Sequence, residues 1–168
     1  MTFTPSNTLR ESSFRGRTPV KKIATLLLGL FVLGSSASAG SQGVTLVIIA
    51  NPMVPTTQIT ARDLNDYYLK KKRFWPDGTT PVRPIDWTEG QPARQVFLSR
   101  VLGKSEGEMA QYWMGQKLYT GDQPPMSLDS GNSICNLVSA IKGGLGYFLA
   151  SSEELKTCQG IKRIGTLE

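Results

Sequence analysis

The sequence predicts a single small α/β domain in which a mostly parallel sheet is flanked by helices. Three observations lead to this class. A continuous, largely β-branched run at 44–50 is typical of a strand buried on both faces. Later segments repeat apolar residues at helical spacing behind capping motifs, and strand-like runs lie between them. Strands that alternate with helices indicate a largely parallel sheet covered by helices.

The first predicted helix follows a loop at 51–57. Thr60 and Asp63 resemble a capping box, and the apolar residues behind them continue at helical spacing. This helix is therefore expected to reach about Lys71. A Pro-Asp-Gly turn and a second strand at 81–87 follow, and Pro84 favours an edge position or an irregular start for that strand.

Three further helices are expected in the second half. Pro92 suits the first turn of a helix over 93–102, which Gly103 ends. A second capping box at 105–108 begins the next helix. A third is predicted over 130–144, and the closing strands are predicted at 145–150 and 162–167.

The first 39 residues have the three parts of a secretory signal peptide. A basic region precedes the apolar run 23–33, and small residues then end in Ala37-Ser38-Ala39. The apolar run is well short of the ~20 residues that a membrane-spanning helix needs. We expect cleavage after residue 39, a periplasmic or secreted product, and membrane contact only during export.

The predicted domain is residues 40–168, and its size suits one hydrophobic core. The leader holds five of the 19 basic residues and one of the 13 acidic residues, so the domain has 14 cations against 12 anions. A net charge of +2 gives little reason to expect nucleic-acid binding. The one dense basic run, at 70–73, is interpreted as the solvated end of a helix.

The two cysteines, Cys135 and Cys158, both lie in the predicted domain. In an oxidising compartment such a pair favours a disulfide bridge. A redox-active pair is the alternative, and the spacing disfavours it because it is far from C-x-x-C.

The chain lacks the residues of most catalytic motifs. It has no histidine, which removes Ser-His-Asp and Cys-His pairs and the commonest metal ligand. No P-loop or zinc spacing occurs either. We therefore expect a binding protein rather than an enzyme, with no cofactor and no metal site.

Three loops at strand ends and helix starts are the candidate binding elements. Each offers hydroxyl or amide groups, which suit an oxyanion where they lie beside the N–H groups of a helix N-terminus. Capping and turn chemistry explains each loop equally well when it is taken alone. All three are expected at one end of the sheet. The candidate ligand-binding residues are Asn51, Thr56, Thr57, Thr88, Gln91, Ser130 and Asn132.

The order of these segments resembles one lobe of the phosphate-binding component of ABC phosphate transporters, a type II periplasmic binding protein. The resemblance covers nearly all of the predicted domain. It implies a periplasmic binding protein-like lobe and a small oxyanion such as phosphate as ligand. The residues that fall where the family pattern places them are Lys72, Trp75, Pro76, Gly78, Phe97, Gly143, Gly146 and Tyr147.

The chain departs from this family at the anion site. Trp87 stands where the family has an arginine, and Gln91-Pro92-Ala93 stands where it has Ser-Gly-Thr. Glu89 adds a negative charge beside them. Two interpretations follow: an exported solute-binding-protein-like domain for phosphate or another oxyanion, or a non-transport module that binds a protein partner of an envelope or signalling assembly. An open polar pocket near Trp87 would favour the first, and a Trp-filled one the second.

Overall fold

The computed structural model describes residues 43–168, which belong to one compact unit, Gly40–Glu168. The predicted signal peptide lies outside the described residues. The strands are β1 (Leu46–Ala50), β2 (Arg83–Trp87), β3 (Met126–Leu128), β4 (Gly144–Leu149) and β5 (Lys162–Leu167). The helices are α1 (Ala61–Tyr68), α2 (Pro92–Phe97), α3 (Glu106–Tyr119), α4 (Gly131–Ala140) and α5 (Glu153–Thr157).

The five strands form one mixed sheet in the order β3-β2-β4-β1-β5. β2 pairs in parallel with β3 and β4, whereas β1 pairs antiparallel with β4 and β5. Four strands therefore run in one direction and β1 runs against them, which confirms the predicted small α/β domain with a mixed rather than mostly parallel pairing. The reversed direction of β1 was not predicted. Every residue of β1 is buried, as its continuous apolar run indicated.

α1 begins at the predicted capping box and ends earlier than predicted. The Thr60 hydroxyl accepts a hydrogen bond from the Asp63 N–H at 3.1 Å, and the Asp63 carboxylate accepts one from the Thr60 N–H at 3.3 Å. The helix stops at Tyr68 rather than near Lys71, because Lys70 takes a left-handed backbone conformation with φ 54°. The whole basic run at 70–73 thus follows the helix instead of completing it.

β2 lies inside the sheet, so Pro84 does not mark an edge strand. Arg83 and Pro84 pair only with β4, and the rest of β2 pairs with β3. Pro84 therefore occupies the irregular start that was the second sequence-based alternative. At the same place Gly143 has φ 85°, and a Cβ added to it would lie 2.0 Å from the Pro81 carbonyl oxygen.

The predicted helix over 93–102 is one continuous helical segment, but its hydrogen-bonding pattern changes partway along. α2 covers its first part and is followed by a π-helical turn, Leu98–Leu102, which ends at Gly103. α3 starts at the predicted second capping box. α4 ends at Ala140, before the predicted residue 144, because the chain must turn before Gly144 enters β4.

Two short elements were not predicted, β3 and α5. A disulfide joins Cys135 in α4 to Cys158 just after α5, with a Cα–Cα distance of 5.6 Å, which confirms the predicted pairing. Within residues 43–168, no helix has both the length and the apolar character needed to span a membrane.

Candidate functional site

Four of the seven candidate binding residues lie at the carboxyl ends of β2 and β3. The backbone N–H of Thr88 donates to the Leu128 carbonyl at 2.9 Å, which joins the two strand ends. The Gln91 amide reaches the Asp129 carbonyl at 3.5 Å. The loops that carry Thr88, Gln91, Ser130 and Asn132 are therefore neighbours, as predicted.

The other loop lies at the opposite end of the sheet, and the expectation of one shared site was wrong for Asn51, Thr56 and Thr57. β1 runs antiparallel to β4, so Ala50 pairs with Leu145 near the start of β4. A loop that follows β1 consequently emerges away from the carboxyl ends of the other strands.

Asn51 has a structural role in its own loop. Its side-chain amide donates to the carbonyls of Val138 and Ser139 at 3.2 and 2.7 Å, which lie at the end of α4. Its side-chain oxygen accepts the Met53 N–H at 3.0 Å. The Thr56 hydroxyl donates to the Gln58 carbonyl at 2.7 Å, and Thr57 is exposed. These contacts are the turn and capping chemistry that the sequence also allowed.

A cavity of about 190 Å³ lies between the two neighbouring loops. Asp129 and Glu154 line it, whereas no lysine or arginine does. The Ser152 hydroxyl donates to the Glu154 carboxylate at 2.6 Å, and this hydrogen bond lowers the pKa of Glu154. The cavity thus carries negative charge near neutral pH. Its lining residues are Trp87, Gln91, Pro92, Ala93, Asp129, Leu149, Ser151, Ser152 and Glu154.

Trp87 forms a packed wall of this cavity and is only 7% exposed. Its indole N–H donates to the Tyr147 carbonyl at 2.8 Å, and its ring meets Phe148 edge-on at 5.4 Å. The only donor of the side chain is therefore used inside the fold. Trp87 thus forms a wall of the cavity without filling it, and the polar residues that remain in the lining are neutral or acidic.

The N-termini of α2 and α4, which border the cavity, do not present a set of free N–H groups to an anion. Pro92 begins α2 and lacks an N–H. At α4 the Ser130 hydroxyl accepts the Ser133 N–H at 3.3 Å, so it caps the helix. The Glu154 side chain packs directly on Gly131. The contact is so close that a Cβ added to Gly131 would lie 2.7 Å from the Glu154 Cβ. A carboxylate side chain thus borders the first turn of α4, where an anion would have to approach.

A buried charge network lies next to the cavity. Asp86 is 4% exposed and accepts hydrogen bonds from the Trp87 N–H at 2.8 Å, from the Tyr147 hydroxyl and from Arg94. Arg94 also donates to both oxygens of Glu106, at 2.8 and 2.9 Å. The guanidinium nearest to the site is therefore held by two carboxylates.

The network shifts the pKa of both central groups. Burial raises the pKa of Asp86, although Arg94 and Tyr147 oppose this shift. Burial by itself lowers the pKa of Arg94, but the hydrogen bonds to Glu106 and the charge of Asp86 raise it overall above its ordinary value. Sequence reasoning missed this network, because the only signal was an aspartate at a strand end followed by an arginine in the next helix.

No group of three His, Cys, Asp or Glu side chains in residues 43–168 is arranged to hold a metal ion. The chemistry that the site offers is therefore hydrogen bonding and negative charge around a small, partly apolar cavity.

Comparison with solved structures defines the class of fold as one lobe of a phosphate ABC transporter substrate-binding protein. PstS from Borrelia burgdorferi superposes with a TM-score of 0.52 at 14% identity, over 73% of this chain and 47% of that chain. A putative phosphate ABC transporter substrate-binding protein from Clostridium perfringens, with bound phosphate, gives 0.52 at 16% identity over 72% and 45%. An ABC-type phosphate transport receptor from Vibrio cholerae gives 0.51 at 16% identity over 72% and 46%.

The chain spans less than half the length of each of these proteins. This share agrees with a single lobe, and the similarity confirms the fold that the sequence resemblance implied. No protein-family sequence model matches the chain, and no curated protein sequence matches it significantly.

Proposed function

We propose that the chain is an exported binding domain, not an enzyme, that uses the fold of a phosphate-binding-protein lobe to recognise a protein partner in the cell envelope. One observation carries this proposal: the cavity at the carboxyl ends of β2 and β3 contains two carboxylate residues and no cation. Trp87 occupies the position at which the resemblance expects an arginine. The fold is retained, whereas the groups that would attract phosphate are replaced.

Electrostatics argue against phosphate at this position. An anion in the cavity would meet the charges of Asp129 and Glu154 across a few ångströms, and like charges at such distances repel. Arg94 cannot turn toward the ligand without leaving Asp86 buried and unpaired, which is costly. A single lobe also lacks the domain closure that buries ligands between two lobes.

A small oxyanion bound at the loops of Thr88, Gln91, Ser130 and Asn132 is the second candidate. It is favoured by the proximity of the two loops, although of these four residues only Gln91 lines the cavity, beside the hydroxyls of Ser151 and Ser152. The relative from Clostridium perfringens, which contains phosphate, gives the same candidate support from the fold.

Calorimetric titration of the Gly40–Glu168 protein separates the two functions. The protein is first unfolded in urea, dialysed and refolded, which removes any anion carried through purification. Phosphate, sulfate and small carboxylates are then titrated in turn. We expect no saturable heat with any of them. Saturable binding at micromolar level or tighter that is lost in Ser130→Ala would contradict the proposal and establish the oxyanion receptor.

Photo-crosslinking in cells tests the positive part of the proposal. A photoreactive residue is placed singly at exposed apolar positions of the full chain, namely Phe74, Met114, Leu118, Tyr119 and Met126. We expect a discrete adduct of higher mass in the envelope fraction from at least one position. If no position gives an adduct, partner recognition is refuted. The N-terminal sequence of the mature protein, expected to begin at Gly40, tests export in the same cells.

A further inference from the structure

Two cavities adjoin at the start of β2, far from the carboxyl ends of the strands. One has a volume of about 230 Å³ and is bordered by Phe74 and Pro81. The other has about 330 Å³ and is bordered by Pro124, Met126 and Ile141. The two cavities share four lining residues and are therefore two halves of one groove. The shared residues, which lie between the halves, are Lys70, Val82, Arg83 and Pro84. We call the whole surface the basic groove.

The charge of the basic groove is opposite to that of the cavity beside Trp87. No aspartate or glutamate lines either half, whereas lysines and arginines do. Lys72 and Arg73 are paired with carboxylates of Asp66 and Asp122, at 3.2 and 2.6 Å. Lys70 and Arg83 form no ion pair with any residue in 43–168. Arg83 therefore carries positive charge that no carboxylate in 43–168 pairs with, whereas the Lys70 ammonium lies 5.9 Å from the centre of the Trp113 ring and its charge helps to lower the pKa of Asp122.

Each half also presents a large exposed apolar side chain. Phe74 is 51% exposed beside the first half, and Met126 is 61% exposed beside the second. The floor is recessed, because Val82 and Ile85 are only 8% and 2% exposed. Exposed aromatic and methionine side chains around a concave surface are typical of protein–protein contacts.

We propose that the basic groove binds an extended segment of the protein partner in which one acidic residue lies between two apolar residues. This inference rests on the proposed function, since it assumes that the chain has a protein partner. The apolar side chains fill the two halves, and the carboxylate lies between Lys70 and Arg83. In an extended chain, every second side chain points to the same face at intervals of ~7 Å, so the pattern is apolar-x-acidic-x-apolar.

A peptide fits this surface better than a membrane does. A bilayer presents a broad surface, and its anionic headgroups suit protruding basic and apolar residues rather than a recessed floor. An extended peptide enters such a groove and adds alternate side-chain contacts along its length.

A synthetic peptide tests the groove directly. The probe is a fluorescein-labelled peptide with the core Leu-Ser-Glu-Ser-Leu, and anisotropy reports its binding to the Gly40–Glu168 protein. Two matched peptides replace either the glutamate by lysine or both leucines by serine. We expect saturable binding of the first peptide that weakens as salt rises, and at least about tenfold weaker binding of the other two. Equal binding of all three overturns the proposal.

Matched variants locate the binding on the surface. Arg83→Glu and Met126→Asp are expected to weaken binding at least about tenfold. Met114→Asp is the control, because Met114 on α3 is 65% exposed and does not line the groove, whereas Met126 is 61% exposed and does. Equal loss in Met114→Asp would overturn the assignment. Binding to vesicles of anionic phospholipid without binding to the peptide would overturn it in favour of a membrane surface.

The crosslinking experiment distinguishes failure of the groove from failure of the proposed function. Adducts from Met126 that Arg83→Glu abolishes support the groove. Adducts from Met114, Leu118 or Tyr119 but none from Phe74 or Met126 overturn the groove and leave partner recognition intact. The absence of adducts at every position overturns both.

Discussion

Arg94 on α2 forms an ion pair with Asp86 on β2, and their side chains are only 13% and 6% exposed. The same guanidinium binds Glu106 at the start of α3. One arginine therefore joins a strand to two helices, and it does not line the cavity beside Trp87.

Replacing Arg94 by alanine is expected to destabilise the fold strongly. The change leaves the buried Asp86 carboxylate without its cation, and breaking such a pair costs about 3–5 kcal/mol. Urea unfolding at neutral pH gives the free energy of unfolding. Arg62→Ala, at an exposed position of α1, is the control and should change the free energy of unfolding by less than about 0.5 kcal/mol. A loss in Arg94→Ala no larger than in the control would show that the pair contributes nothing.

The indole of Trp87 is expected to stabilise the fold through its hydrogen bond as well as through its buried apolar surface. Trp87→Phe leaves the buried Tyr147 carbonyl without this donor, which costs about 1–3 kcal/mol. Trp113→Phe is the comparison, because Trp113 is 8% exposed and its indole nitrogen has no hydrogen-bond partner within 43–168. The difference between the two variants in urea unfolding measures the hydrogen bond. Equal losses would assign the whole effect to packing.

The Asp77 carboxylate is expected to make the free energy of unfolding depend on pH in the acidic range. The Thr80 hydroxyl and the N–H groups of Thr79 and Thr80 donate to its carboxylate and lower its pKa from 3.8 to about 2. The unfolded chain therefore binds this proton first, so the contribution is present above about pH 4 and is lost as the pH falls to about 2.

Asp77→Ala should consequently lower the urea midpoint at pH 6, and the difference from the wild type should shrink between pH 4 and pH 2. Glu89→Ala removes an exposed carboxylate and serves as the control for net charge. A difference that stays constant down to pH 2 would show that the Asp77 carboxylate is not stabilised in the folded chain.

The bridge between Cys135 and Cys158 is expected to stabilise the domain by about 3 kcal/mol, because it closes a loop with a sequence separation of 23 in the unfolded chain. Reductant should lower the melting temperature of the wild type and leave that of the double serine variant unchanged. Alkylation followed by mass spectrometry should label neither cysteine until reductant is added. Labelling of both without reductant would refute the bridge.

Gly143 is expected to be the least replaceable glycine among residues 43–168. Alanine there combines φ 85° with a Cβ 2.0 Å from the Pro81 carbonyl oxygen, so the strands must move apart. Gly78→Ala is the control, since Gly78 has φ 68° and open space around it. We expect about 1 kcal/mol for Gly78→Ala and several times more for Gly143→Ala, measured by urea unfolding. Equal losses of stability in the two variants would mean that the positive φ accounts for both and that the close contact at Gly143 costs nothing.

Elements with a local signal were predicted well. The apolar run of β1 and the capping boxes of α1 and α3 depend on residues within a few positions of each other, and the structure confirms them. β3 has only three residues, two of them exposed, and follows two prolines, so no alternation marked it as a strand. α5 is too short to show a helical period.

The candidate site was predicted in part because loops were assigned to an end of the sheet from strand order alone. That inference holds for Thr88 and Ser130, which follow strands running in the same direction. It fails for Asn51, because pairing direction depends on contacts about a hundred residues apart and leaves no mark on a local segment. The partners of Arg94 were missed for the same reason. Binding at Thr88, Gln91, Ser130 and Asn132 remains a prediction.

The reversed direction of β1 has a consequence for the order of folding. Leu46 in β1 pairs with Leu149 of β4 on one side and with Leu167 of β5 on the other, so this buried strand has no sheet neighbour until β4 is available and only one until β5 is. Contacts of such sequence separation slow folding. The sheet can therefore be completed only when nearly the whole domain is present, because β1 is enclosed on both sides only after β5 has paired with it.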